Sequence, residues 1–556
     1  MRIVASLVMG MMVLAAIAGT VSGAEEEDTC AVLFDFGNGQ VMWADVPVTE
    51  GMNAFNVTVE AADVLGLTME SSYFPSFGMS VDKVDGVGGN GAAGEYWGFW
   101  IWNSTTGSWE LSDLGRSSVS ADSTNAIAQV YAPWGAPAPL ATPDHRYPWT
   151  SFRYDSLNSG LQEFGSIERP VLNWSKDLGN GAIDSSVVGA NGLIYVITGG
   201  QLNPDWTYAT NASLVCMDMS GKEIWRKEIG AGFHLASPLL YSDMVIAPSA
   251  DGKLYAFDAA DGEEVWTFDT GSRTVGWDPG MTSSPAAYVD HIIVAAGNGK
   301  LYSIYASNGT EDWNVTVPAK IYSSSPAVHN GVIYIGDDSG NVSAYTTDGS
   351  GKIWSTDVRA KEVRASPLID TTRNMVIVTS KGDSGNMTAL NMTSGDIVWQ
   401  TNLGGSSASV AMAPTGYVAV TATTLVMVDF DGERLWDGPQ GIGGGGAPTV
   451  VGDTIFAVTN EESSRLVAVN MTGALVNETV LAPANYAMCA PTFIDGFLFV
   501  TSDNGHIYAF STGSEEIIGP GPEAAPEEFP WLLVGGIIAV ILIAAVGLVF
   551  WRSKKA

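Results

Sequence analysis

The sequence predicts a mainly β protein: an eight-bladed β-propeller of four-stranded blades with N-terminal strand closure, preceded by a small α+β domain and followed by one transmembrane helix. Three observations predict it. One unit of four short strands recurs from residue 170 to residue 513, an unrelated aromatic segment precedes that repeat, and an uncharged 21-residue stretch, Trp531 to Trp551, follows it.

In chain order, Met1-Arg2 leads an uncharged run to Ala18. Small residues come next, with Ser22 and Ala24 placed for cleavage, so residues 1–24 read as a secretory signal. Residues 25–135 form the first domain. The run Ala31 to Phe36 predicts a strand, a helix is expected near Asn53 to Leu65, and Asp85-Gly86 between Val84 and Val87 predicts a tight hairpin. The most unusual run is Tyr96-Trp97-Gly98-Phe99-Trp100-Ile101-Trp102-Asn103, with Trp109 beyond it. Strand alternation puts Trp97, Phe99 and Ile101 on one face and Tyr96, Gly98, Trp100 and Trp102 on the other. One face must be core. The rings of Tyr96, Trp100, Trp102 and Trp109 are the candidate ligand-binding set, because aromatics bury much area at small entropic cost. The competing reading of the same rings is packing against the helix or the propeller.

Residues 136–169 are a linker and propeller lead-in, and 170–513 are the propeller. First strands begin at Ser185-Ser186, Ser237-Pro238, Ser284-Pro285, Ser325-Pro326, Ser366-Pro367, Ser409-Val410, Ala447-Pro448 and Ala490-Pro491. Fourth strands are marked by Trp225, Trp266, Trp313, Trp354, Trp399 and Trp436, with Asn477 in that slot of the seventh unit. The eighth unit has no following Trp; its missing strand is Leu172 to Ser175, with Trp174, upstream of the first unit. Pairing that strand with the last three closes a ring and hides the sheet edges, and the Trp spacing fits the ~40–45 residues of a propeller blade. The seven tryptophans are read as packing units wedged between sheets.

Residues 514–529, rich in Pro, Gly and Glu, predict an extended, self-repelling stalk. Residues 530–551 predict the membrane span: its 21 residues from Trp531 to Trp551 at helical rise cross roughly 31 Å, the thickness of a bilayer's hydrocarbon core. Residues 552–556 form a basic cytoplasmic tail, which puts the N-terminal ectodomain outside. The chain carries 60 Asp+Glu against 25 Lys+Arg, a net charge of −35. That excludes the clustered cations on which nucleic-acid binding or adhesion to anionic lipid depends. Asn56, Asn103, Asn173, Asn211, Asn308, Asn314, Asn341, Asn386, Asn391, Asn470 and Asn477 head candidate N-glycosylation sequons, a second sign of an exterior protein.

No catalytic set is recognisable. Cys30, Cys216 and Cys489 form no C-x-x-C pair, and His145, His234, His291, His329 and His506 have no ligand or relay spacing. Asp337 to Asn341 and Asp429 to Gly432 resemble calcium-loop fragments but lack the closing Glu, so they read as turns, and no metal site is assigned. Gly441 to Gly446 lacks the Lys of a phosphate loop and reads as a flexible crossing between blades.

The run Ala256-Phe257-Asp258-Ala259-Ala260-Asp261-Gly262-Glu263-Glu264-Val265-Trp266, and its copy at Ala389 to Trp399 with Asn391 for Asp, resembles the repeat of the pyrroloquinoline-quinone-like propellers. Pro148 to Asp155 with Asn158-Ser159-Gly160 is similar to the lead-in of such propellers. That family includes quinoprotein dehydrogenases and non-enzymatic scaffolds such as the bacterial outer-membrane assembly lipoprotein. The dehydrogenases carry vicinal cysteines beside a quinone with calcium, and no two cysteines are adjacent here. The first domain, with its helix, Asp-Gly hairpin, Tyr-Trp strand and last strand near Tyr131, resembles the β-grasp-like C-terminal domain of transcobalamin. The resulting expectation is a membrane-anchored cell-surface scaffold, without enzyme activity or cofactor, presenting loops and a central opening to a protein or glycan. The alternatives are a quinone- or metal-dependent oxidoreductase in the funnel, built from Asp, Asn, Arg and a stacking Trp, or corrinoid-like binding by the first domain.

Overall fold

The repeat folds into antiparallel sheets because its β-branched and aromatic runs are each too short to bury a core alone, and tight Gly turns return the chain beside itself. In the computed structural model, residues 29–512 are described, apart from 38, 89–93, 164, 180, 204, 206–207, 233, 274–279, 383–384 and 445. The expected signal, stalk, transmembrane helix and basic tail lie outside the described residues. No helix among the described residues is long and apolar enough to cross a membrane.

The protein is mainly β, a propeller of four-stranded sheets. Units one to seven span 188–229, 239–269, 286–316, 327–357, 368–402, 411–437 and 449–480, each pairing its strands in sequence order. A last sheet joins Thr492–Ile494, Phe497–Thr501 and His506–Thr512 to Pro170–Asp177, with Trp174 opposite Ala509 and Lys176 opposite Ile507. Residues 335 positions apart, Trp174 and Ala509, thus share one sheet, unit eight.

Two devices repeat around the sheets. The Ser that opens a first strand accepts a hydrogen bond from the backbone N–H of the preceding unit. Ser186 donates to Ser237 Oγ (3.0 Å), Ser237 to Ser284 (2.9 Å), Ser284 to Ser325 (2.9 Å), Ser325 to Ser366 (2.8 Å) and Ser366 to Ser409 (2.9 Å). Ala490 N–H then reaches Ser186 Oγ at 3.0 Å, linking unit eight to unit one. Each hydroxyl thereby satisfies a buried amide that no strand partner reaches.

The second device is the tryptophan. Each indole N–H donates to a carbonyl in the turn joining the third and fourth strands of the next unit: Trp174 to Met219, Trp225 to Ala259, Trp266 to Ala306, Trp313 to Thr347, Trp354 to Met392, Trp399 to Phe430 and Trp436 to Met471, all at 2.8–3.1 Å. The glycine of that turn lies flat on the ring. At Gly309 (φ +70°) a Cβ would approach Trp266 to 2.6 Å, so the turn needs Gly both for its backbone and for this contact.

The first domain pairs β1 (Thr29–Asp35), β2 (Val41–Pro47), β6 (Glu95–Asn103), β7 (Ser108–Leu111) and β8 (Ala126–Pro133) in the order β2-β1-β8-β6-β7, with β1 and β8 parallel. Helix α1 (Ala54–Val64) starts at Asn53, whose side chain caps the Asn56 N–H. It buries Ala54, Val57 and Ala61 against Val32, Phe34, Trp97 and Phe99. A three-stranded sheet, β3 (Met69–Phe74), β4 (Gly78–Val84) and β5 (Val87–Gly88), turns at Asp85-Gly86 with both residues at positive φ.

Candidate functional site

The lead-in does not hang between domains; it lies inside the ring of first strands. Its carbonyls accept backbone N–H groups from unit after unit. Tyr147 takes Asp495 (3.3 Å), Thr150 takes Leu240 (2.7 Å), Ser156 takes Val328 (2.8 Å), Leu157 takes Ile369 (2.9 Å), Ser159 takes Met412 (2.8 Å) and Gly160 takes Val450 (2.9 Å), while Trp149 and Gly189 exchange a pair. Strand β9 (Leu161–Gln162) then joins unit seven in parallel with Val450 and Val451. Seven of the units are therefore tied to a segment of 15 residues, Tyr147 to Leu161.

Side chains lock the segment further. Arg153, 1% exposed, donates to the carbonyls of Pro448 (2.5 Å) and Val410 (2.9 Å), and Asn158 donates to those of Pro367 and Pro326. The Asp155 carboxylate accepts the N–H groups of Leu157 and Ser159 and the Ser159 hydroxyl. Burial pushes its pKa up to about 6 and lowers that of Arg153 to about 9. Trp149, Arg153, Asp155 and Asn158 are the residue types expected of a redox funnel, and they do converge near the channel. Arg153 and Asn158 spend donors on carbonyls of the inner strands and Asp155 accepts from the lead-in's own Leu157 and Ser159, whereas Trp149 Nε1 and Arg153 Nε are buried without a hydrogen-bond partner. Much of the expected central opening is, at this level, filled by the chain itself, with a cavity left between Gly37, Gly39, the lead-in, Leu239 and Pro285; most partners of residues 148–160 lie far away in sequence.

The aromatic strand divides its rings as alternation predicts. Trp97 and Phe99 enter the core under α1, and Trp100 and Trp102 pack on the opposite face with Trp43 and Trp109. That second face is largely covered. Trp109 is buried, donates its indole N–H to Ala141 O at 2.8 Å, and meets Trp102 edge to face at 5.1 Å. Ala138 and Ala141 of the linker lie on this cluster, so Trp102 and Trp109 pack against the chain's own Ala/Pro segment. What stays open is the other end of β6. Tyr96, Gly98, Trp100, Leu111, Pro133 and Pro137 line a shallow notch of about 20 Å³. Trp134, not singled out from the sequence, is 80% exposed and leans on Tyr96 at 5.5 Å. The notch exists because Gly98 has no side chain there.

Arg146 of the lead-in ties to β2 through paired bonds from its guanidinium to Asp45 (2.7 and 2.8 Å) beside the Trp43 ring. On the propeller side, Asp495 accepts from Tyr147 N–H and sits 3.0 Å from His145 Nδ1.

Several of the remaining candidates make turn and cap contacts. Asp337 accepts the N–H groups of Ser339 and Asn341, and Asp429 those of Asp431 and Glu433, as turn residues do. Asn308, Asn391 and Asn470 accept turn N–H groups two residues on, and Asn56 completes the α1 capping box. The three cysteines are buried free thiols. Among the described residues no three His, Cys, Asp or Glu side chains gather as a metal-binding group. The glycine-rich crossing is not a loose spacer: a Cβ on Gly443 would fall 2.2 Å from Ala422 O, and one on Gly446 would fall 1.9 Å from Cys489 O, so the glycines permit close backbone packing.

Comparison with known proteins places these features. Residues 171–325 and 319–518 match the family described as Outer membrane protein assembly factor BamB. The chain is 28% identical over 407 residues, 67% of this chain and 92% of the relative, to the outer membrane protein assembly factor BamB of Salmonella typhimurium. The fold is shared with the BamB crystal structure from Moraxella catarrhalis (TM-score 0.51, 15% identity, 62% of this chain and 98% of that one). It is shared equally with the quinohemoprotein alcohol dehydrogenase of Comamonas testosteroni (TM-score 0.54, 13% identity, 66% and 81%). A europium-containing methanol dehydrogenase aligns similarly (TM-score 0.51, 12% identity, 66% and 98%).

Proposed function

The chain belongs to the outer membrane protein assembly factor BamB family of pyrroloquinoline-quinone-like β-propellers, and on that premise we propose that it is a membrane-anchored cell-surface binding scaffold. In this reading the sheets count as an eight-bladed ring, residues 25–135 are a β-grasp-like module carried on it, and residues 530–551 hold the assembly to the membrane. The ligand is a protein segment or glycan taken by the rings of Tyr96, Trp100 and Trp134. Trp102 and Trp109 support that face from beneath and do not touch the ligand.

The filled channel carries this reading. Of the side chains that a funnel oxidoreductase would aim at substrate, Arg153 and Asn158 are committed here to inner-strand carbonyls and Asp155 to the lead-in's own Leu157 and Ser159. An open notch flanked by an 80%-exposed Trp stays available, beside a larger cavity lined by Gly37, Gly39, Thr150, Asp155, Asn158 and Pro285. Exposed indoles on rigid strands or short loops stack on sugar rings and anchor peptides.

The test is a glycan and peptide binding screen on the full chain, read by surface plasmon resonance. A hit should weaken about 30-fold or more in Trp134→Ala and in Tyr96→Ala, the scale of a buried aromatic anchor. Binding indifferent to both substitutions would reject the notch. A spectral change and alcohol oxidation on adding quinone and calcium would reject the scaffold reading itself.

A further inference from the structure

Where unit one meets unit eight, two carboxylates lie side by side without a cation. Asp184 sits in the loop entering unit one, and Asp503 in the turn between the second and third strands of unit eight. Asp184 is 4% exposed. Both of its carboxylate oxygens, and Oδ1 of Asp503, are buried with no hydrogen-bond partner.

The donors nearby are already committed to this seam. Leu178 N–H reaches Gly505 O (2.9 Å), Ile183 N–H reaches Ser502 O (3.2 Å), Asp503 N–H reaches Tyr486 O (2.9 Å), and the Thr501 hydroxyl donates to Ser185 O (3.0 Å). Burial first, then the charge of Asp503, holds the Asp184 carboxyl well above the usual range, and burial raises Asp503 as well. Two such groups cannot both ionise in a low-dielectric site without a counter-charge. A shared proton bridges one oxygen of each and leaves Asp184 with an orphan. A cation satisfies all three orphan oxygens together.

We propose that Asp184 and Asp503 bind one hard divalent cation, of which Ca²⁺ is the fitting class, as a staple between the first and last units of the ring. The donors are oxygen only, which selects a hard ion over zinc or copper. Two protein carboxylates leave several positions to water, so the affinity belongs in the range of about 10⁻⁴–10⁻³ M typical of extracellular calcium modules. A chain of net charge −35 concentrates such ions at its surface. This site is independent of the binding notch, and its role is to hold the seam closed.

The test titrates calcium chloride into the full chain in detergent, following thermal unfolding and, by calorimetry, stoichiometry. One Ca²⁺ per chain and a Tm rise of roughly 3–4 °C at a hundredfold excess over Kd are expected, because a ligand bound only to the folded state stabilises it by mass action. Asp503→Asn, at a partly buried position that should fold, and the double variant with Asp184→Asn should both lose the calcium response. The double variant should be at least as stable as the calcium-free parent, since it removes the repulsion. A calcium-blind parent whose Tm falls as pH rises from 5 to 8 by more than that of the double variant, which keeps Asp155, would show a shared proton and overturn the proposal. So would an undiminished calcium response in the double variant.

Discussion

The seams between units are of two kinds. Seven are locked by a Trp lying on the Gly turn of the next unit, and the seam from unit seven to unit eight is not. Unit seven carries Asn477 where the others carry Trp, and unit eight has no turn between its third and fourth strands, because His506–Thr512 and Pro170–Asp177 come from opposite ends of the repeat. Lock and receiver vanish together. Trp and Gly turn are one device, and a unit built by ring closure cannot offer its half. At that seam Thr449 instead donates its hydroxyl to Pro491 O at 2.6 Å, and the closing sheet itself supplies the long-range pairing.

The largest expected effect lies at a locked seam. Trp266→Ala removes a 7%-exposed indole wedged on Gly309 and should cost about 3–5 kcal/mol in denaturant unfolding, as large-to-small aromatic changes in cores do. A loss under about 1 kcal/mol would mean the Trp device is ornamental.

Next in size is a pH effect at the seam from unit one to unit two. Burial depresses His234 to about 4, against partial opposition from the Gly230 carbonyl and Asp251. The unfolded chain takes up that proton near pH 6.5 and the folded one does not. Stability from this group is therefore present above pH 6.5 and lost as pH falls to 4, by about 3 kcal/mol in total. Asp155 works in the opposite sense. Raised to about 6, it contributes most below pH 4 and loses that contribution as pH climbs through 6. His234→Gln should steepen the net decline of stability with rising pH between 4 and 6; an unchanged profile would mean that His234 stays protonated when folded.

Ser284→Ala removes the hydroxyl that receives Ser237 N–H, orphans a buried amide, and should cost about 1–3 kcal/mol. Asn477→Trp sharpens the comparison from the other side. With no turn to receive the ring it should add less than about 0.5 kcal/mol, as surface changes usually do. A gain like the cost of losing Trp266 would show that the lock needs no partner turn.

Much of this was legible in the sequence because repetition makes a weak local signal strong. The Trp positions, the Ser starts and the displaced strand at Trp174 stand out by recurrence alone, and each marks a contact that recurs. The strand face of Trp97 and Phe99 follows from alternation. Contacts made once, at long range, leave no such trace. Nothing near Arg153 announces that it bonds to Pro448 and Val410, and nothing near Trp109 announces that Ala141, 32 residues later, covers it. Ala-Pro runs such as 136–139 look like spacers whether they lie on solvent or on tryptophan. Trp134 was hidden for the converse reason: a lone Trp beside Pro and Gly has no period to place it.

The account depends most on a channel filled by its own lead-in. Amide hydrogen exchange at Leu240, Val328, Ile369, Met412 and Val450, whose N–H groups end on carbonyls of residues 150–160, tests it directly. These amides, together with those of the lead-in, should exchange only by global unfolding, as slowly as the central strands of their sheets. Fast exchange at these five while the neighbouring second strands stay protected would place the lead-in outside the ring and return the open funnel to contention.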